Sequence, residues 1–150
     1  MPNMRINAFL KESPMFAVSR AARRFDAMAN RALAADDLSF LEGLILAAIF
    51  FEAPRRTKPS ELAETFGTTR ANISHTVSAL EAKGLLQREI DPTDARAYLL
   101  ALKPSGRRCA LRIIHIFDRL QSAFEKEVGK RALGESIKTV RALEQLSESL

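Results

Sequence analysis

Between Pro59 and Pro104 the chain is punctuated so closely that few folds can accommodate it. Pro59 opens a short apolar-faced run (Leu62, Ala63 and Phe66) that Gly67 closes, as proline at a helix start and glycine past its end would. Thr69 is a good helix cap, and Ile73, Val77 and Leu80 then follow at helical spacing until Gly84 stops them. Residues 85–90 and 97–102 read as two short strands, with Asp91-Pro92-Thr93-Asp94-Ala95-Arg96 as the hairpin between them. Two short helices joined by a glycine turn and followed by a hairpin make a winged helix-turn-helix.

The flanks predict further helices. Ser13-Pro14 is a cap followed by proline, and Met15, Val18, Ala22, Phe25, Ala29 and Ala32 then form one apolar stripe on a helix ending near Ala34. Ser39 with Glu42 three residues on is a capping box that opens a helix through Phe51, apolar nearly all round and therefore buried. Pro104 opens a long helix to about Val128, and residues 135–149 make a last one. The expectation is a mainly α chain with a small β-hairpin, divided into residues 1–36, a winged lobe over 37–103, and residues 104–150.

Several function classes are excluded by composition. The longest apolar run, residues 44–51, is eight residues long, against about 20 for a membrane-spanning helix. Residues 1–14 hold no secretory apolar segment, so the chain is expected in the cytoplasm, with no membrane partner. One Cys and two His provide neither a disulfide framework nor a structural zinc site, so no metal or cofactor is expected. No nucleophile–base arrangement, phosphate loop or metal-spaced cluster suggests an enzyme.

Charge locates the working surface. The net +5 lies wholly within residues 54–112, which hold 11 basic and 6 acidic residues, while the segments on either side are neutral. Within that span, helical geometry turns Ile73, Val77 and Leu80 to the core and leaves Ala71, His75, Ser78 and Ala82 opposite, flanked by Asn72 and Ser74. This outer face is polar but small, and nearly free of the Glu and Lys that a solvated face usually carries. Asn72 and His75 offer hydrogen bonds to base edges, Arg70 reaches guanine or phosphate, and Thr69 caps a helix end whose N–H groups favour phosphate. At the hairpin tip, Arg96 suits the negative potential of a narrow minor groove, and Asp94 can brace that arginine, or one nearby, through a bidentate pair. An ordinary surface turn with a weak salt bridge is the plainer reading of the same two residues.

These residues resemble a known family. Lys58-Pro59-Ser60-Glu61-Leu62-Ala63, followed by Phe66-Gly67-Thr68-Thr69-Arg70-Ala71-Asn72-Ile73-Ser74, is similar to the helix-turn-helix of MarR-type regulators. So are Leu80-Glu81-Ala82-Lys83-Gly84-Leu85-Leu86, the wing Asp91-Pro92-Thr93-Asp94-Ala95-Arg96 and the exit Leu102-Lys103-Pro104-Ser105-Gly106. The chain departs from the pattern at Lys103, where the family usually caps the next helix with Thr or Ser. The resemblance implies a homodimer on double-stranded DNA, each subunit placing its recognition helix in a major groove and its wing in the adjacent minor groove. Lys58, Thr69, Arg70, Asn72, Ser74, His75 and Ser78 would then face DNA, with Arg96 the wing arginine and Asp94 its support.

The terminal helices would form the dimer, through Met15, Val18, Ile113, Phe117, Leu120, Phe124, Ile137, Val140, Leu143 and Leu146. The long helix from Pro104 carries apolar residues on more than one face, which suits a second subunit, although packing within one chain would use them too. The resemblance further implies a regulator, in most cases a repressor, released from DNA by a small aromatic or phenolic effector. Arg20, Arg23 and Arg24 can meet an anion or simply be solvated. Cys109 lies near Arg107, Arg108 and Arg112, which would lower its pKa if it were exposed; a buried structural thiol is the simpler reading. The competing function is a winged helix used for protein–protein interaction without sequence-specific DNA binding.

Overall fold

The structure, a computed structural model, describes residues 4–150. Its elements in order are α1 (Asn7–Lys11), α2 (Pro14–Leu33), a 3-10 turn (Ala34–Asp36), α3 (Phe40–Glu52), α4 (Pro59–Phe66), α5 (Arg70–Ala82), β1 (Leu86–Asp91), β2 (Asp94–Leu102), α6 (Pro104–Val128) and α7 (Lys130–Ser147). They form two compact units, one over Asn30–Phe117 and one that joins the chain up to Ala29 with Asp118–Leu150.

Local chemistry sets most of the boundaries in the Asn30–Phe117 unit. Ser39 Oγ accepts from Glu42 N at 3.2 Å and Glu42 Oε1 accepts from Ser39 N at 3.0 Å, so two otherwise unpaired donors of α3 are satisfied reciprocally. Helix α4 begins with Pro59 and ends at Gly67, whose φ of 62° is left-handed and costs glycine nothing. Thr69 Oγ1 accepts from Asn72 N at 3.0 Å and starts α5. The core is built from Leu33, Leu38, Ile45, Leu46, Ile49, Leu62, Ile73, Val77, Leu80, Leu86, Leu100 and Ala110, with α3 at its centre. Gly106 lets α6 approach the link between α5 and β1, because a Cβ there would sit only 1.8 Å from the Leu85 carbonyl oxygen.

The wing is an antiparallel pair running from Leu86↔Leu102 to Ile90↔Tyr98, with an irregularity before Asp91↔Asp94. Thr57 adds a short third edge, accepting from Leu100 N at 2.9 Å. The strands run farther than the sequence suggests, leaving Pro92-Thr93 as the tip. Asp91 Oδ1 takes both the backbone N–H of Thr93 (2.9 Å) and its hydroxyl (2.8 Å), turning the chain within two residues.

The other unit, containing α1, most of α2, the end of α6 and α7, buries little. Ala29 is its single buried residue among those described, and α1 and α7 have none. Phe25 and Phe124 meet edge to face at 5.7 Å. Met15, Val18, Val140, Leu143, Leu146 and Leu150 line a cavity of about 540 Å³. Helix α7 begins five residues earlier than its apolar pattern indicates: Gly129, at φ 90°, breaks the chain sharply, and the helix restarts at once.

Ile113 corrects the dimer expectation. It is completely buried against Leu33 and Gly43 in the core of its own chain, and so presents no surface to a second copy. Phe117 is half-buried, its ring edge to face with Phe40 at 5.9 Å.

Candidate nucleic-acid interface

Helix α5 has one dry face and one open face. Ile73, Val77 and Leu80 are completely buried, and Thr76 is buried with its hydroxyl donating to the Asn72 carbonyl at 2.7 Å. Arg70, Ala71, Asn72, His75, Ser78 and Ala82 are exposed, and Ser74 is half-buried. No carboxylate interrupts this surface until Glu81, near the end of the helix.

The polar groups on that face differ in how far they are already engaged. Asn72 donates its side-chain amide to Thr68 Oγ1 at 2.9 Å, which holds the side chain at the helix start. Thr68, absent from the expected site, is thereby a neighbour that orients Asn72. Ser78 Oγ donates to the Ser74 carbonyl at 3.0 Å and accepts from Arg88 at 2.9 Å. Ser78 is therefore exposed but largely committed.

At the wing, Asp94 and Arg96 are exposed on β2, but their relationship is not the expected ion pair. Asp94 Oδ1 accepts the backbone N–H of Arg96 at 3.0 Å, and no salt bridge joins the two side chains among the described residues. A carboxylate two residues back is well placed to bond the near backbone N–H in place of the side chain. Asp94 shapes the strand and leaves the guanidinium uncommitted.

The structure also sorts the basic residues. Arg55 is neutralised by Glu52 (2.9 Å) and Glu61 (3.1 Å), Arg56 by Glu89 (2.9 Å), Lys83 by Glu42 (2.9 Å), Arg88 by Glu81 (2.7 Å) and Arg112 by Asp36 (2.9 Å). Lys58, Arg70 and Arg96 make no salt bridge among the described residues, although Lys58 lies in the field of Glu61 and Asp91, so the charge free of a direct ion pair includes the head of α4, the first residue of α5 and the wing. The backbone N–H of Lys58 holds the Glu61 carboxyl below the usual carboxylate range, with Arg55 adding to the effect. Thr93 does the same to Asp91, and Arg56 followed by Gln87 does so to Glu89.

Cys109 is buried, and that burial pushes its thiol pKa up; Asp36 adds to the rise, outweighing the opposing pull of Arg112. Arg23 and Arg24 are exposed and Arg20 is half-buried. No helix among the described residues is long and apolar enough to cross a membrane.

Comparison with known proteins agrees with this arrangement. Residues 36–97 match the model of the MarR family. The HTH-type transcriptional regulator BilQ of Clostridioides difficile is 22% identical over 108 residues, covering 72% of this chain and 73% of that protein. The Staphylococcus aureus MepR–DNA complex superposes with a TM-score of 0.78 at 19% identity, covering 92% of this chain and 98% of that one. CouR of Rhodococcus jostii, in a crystal structure bound to p-coumaroyl-CoA, superposes with a TM-score of 0.76 at 22% identity, covering 89% and 93% of the two chains. The family match across residues 36–97, the regulator among the relatives and the shared architecture show that this chain is similar to MarR-type transcriptional regulators in its winged lobe and has their fold.

Proposed function

We propose that two copies of this chain bind a pseudo-palindromic duplex in the cytoplasm and repress transcription until a small effector releases them. The observation that carries the DNA reading is the α5 surface, where Arg70, Asn72 and His75 stand among small side chains, with unpaired Arg96 on the wing. Small residues let a helix backbone approach a groove floor, and the donors and acceptors beside them can read base edges. In this reading Thr69 and Lys58 hold phosphates, and the lobe over residues 37–103 does the binding. MepR, of similar fold, is known in complex with DNA, which supports the same use here.

Dimerisation belongs to residues 1–36 and 104–150. Met15 is 80% exposed and Leu146 53%, and Val18, Ile137 and Val140 are exposed beside half-buried Leu120, Phe124 and Leu143. A unit that buries so little while exposing so many large apolar groups is the kind of surface that a second copy covers. The effector is a small aromatic or phenolic compound, by analogy with CouR and its p-coumaroyl-CoA. The experiment is a gel shift with DNA selected by the purified protein, run from low to high salt beside a light-scattering mass measurement. A salt-sensitive specific complex of two chains is expected. A monomer in solution, or binding without sequence preference, would refute the reading.

A further inference from the structure

Arg88 lies on β1, outside every residue assigned to DNA above, yet its guanidinium meets α5 and both strands of the wing. Nη1 donates to Glu81 Oε1 at 2.7 Å, Nη2 donates to Ser78 Oγ at 2.9 Å and reaches the Ser74 carbonyl at 3.4 Å, and Cζ lies 4.9 Å from the centre of the Tyr98 ring. The backbone N–H of Arg88 donates to the other Glu81 oxygen at 3.2 Å, so this one carboxylate accepts from both the strand and its side chain. Ser74, Ser78 and Glu81 are spaced i, i+4, i+7, one stripe along two turns of the recognition helix. Tyr98 is on β2, diagonal to Arg88 across the ladder, since Arg88 pairs with Leu100. One side chain thus fastens both wing strands to the side of the recognition helix.

We propose that Arg88 is a positioning residue that holds the wing at a fixed angle to the recognition helix, so that Arg96 enters the minor groove while Asn72 and His75 occupy the major groove. The inference rests on the DNA-binding reading above. Its force comes from leverage. From Arg88 to the tip at Thr93 is five residues, about 17 Å of extended strand, so a 10° loosening at the clamp moves the tip by about 3 Å. That is the difference between a hydrogen bond made and lost. A planar fork is required: an ammonium can keep the Glu81 pair, but it cannot also bond Ser78 and sit over the Tyr98 ring. The clamp also gives Ser78 a role, as a hydroxyl that links Arg88 to the helix instead of reading a base.

The test is a double-mutant cycle on a selected operator with wild type, R96A, R88K and R88K/R96A, together with thermal unfolding of each and hydroxyl-radical footprints. R96A is expected to weaken wild-type binding about 10-fold and to weaken R88K less than about 3-fold, because the wing arginine is already misplaced. The minor-groove protection flanking each half-site is expected to fade in R88K while major-groove contacts persist. An R96A cost as large in R88K as in wild type would overturn the coupling, even if R88K lowers stability. No R96A cost in wild type would instead remove the wing from DNA, and the coupling with it. Should R88K fail to unfold cooperatively, S78A and S78A/R96A decide the question by the same criterion, since S78A removes one arm of the clamp from an exposed position.

Discussion

Asp94 bonds the backbone of Arg96 and leaves its guanidinium free, the two residues meeting at 3.0 Å through a carboxylate oxygen and an N–H. The wing arginine is therefore held by its main chain and remains available for a phosphate or groove. Arg96→Ala should weaken operator binding and reduce the salt slope by about one unit, uniformly across sequences. Asp94→Asn, which keeps an acceptor oxygen, should bind nearly as wild type, whereas Asp94→Ala should fall between wild type and Arg96→Ala. Titration at several salt concentrations checks all three, and an unaltered slope in Arg96→Ala would take the tip off the DNA.

Asn72 and His75 should behave differently from the wing. Either residue changed to Ala should cost about 1–3 kcal/mol of specific binding and relax sequence preference. Folding stability should barely move, because Thr69 caps the Asn72 backbone N–H whatever the side chain. Thr68→Val, which removes the Asn72 partner, should reproduce a smaller version of the Asn72 effect. Equal selected sequences for wild type and both Ala variants would remove these residues from base reading.

Gly106→Ala should be severely destabilising, by about 3 kcal/mol or more. The added Cβ would lie 1.8 Å from a backbone oxygen, and neither Leu85 nor α6 can retreat without separating β1 from the core. Urea unfolding at fixed protein concentration measures it. Gly134→Ala, whose Cβ would meet nothing, is the control and should be neutral or stabilising.

Acid should weaken the winged lobe through Glu61, Glu89 and Asp91, all held below the usual carboxylate range. A carboxyl whose pKa is lowered by folding stabilises above its unfolded value, about 4, and that stability is lost as pH falls through the folded value. Melting temperature should therefore hold from pH 7 to about 5 and fall below about 4. Glu89→Gln should be less stable than wild type at pH 7, and the gap should narrow as pH falls below about 4 and the carboxylate takes up its proton. A constant gap between the two would show that the Arg56 pair is not its cause.

Cys109 should be a slow nucleophile in the folded protein, since burial both excludes reagent and favours the thiol. Alkylation by iodoacetamide at neutral pH should be at least about 10-fold slower than after unfolding. Equal rates would contradict its burial.

Local spacing was enough for the sequence to determine most of the elements. Ser39 finds Glu42 three residues away, Thr69 finds the Asn72 N–H, and Gly67 turns the chain by itself, because each interaction closes within a single helical turn. The outer face of the recognition helix was legible for the same reason, since helical periodicity fixes which residues oppose Ile73, Val77 and Leu80. Helix α1, of five residues with no buried side chain, has too little pattern to register.

Tertiary structure alone decided which charges remain free and which apolar residues remain open. Arg56 meets Glu89 across 33 residues, Lys83 meets Glu42 across 41, and Arg112 meets Asp36 across 76. Ile113 carries the same helical pattern as Leu120 and Phe124, yet only the approach of Leu33 and Gly43 seals it inside. The physical reason is one of range. Capping and helical periodicity operate within a few residues, whereas ion pairing, burial and the grip of Arg88 on the recognition helix exist only after distant segments have been brought together.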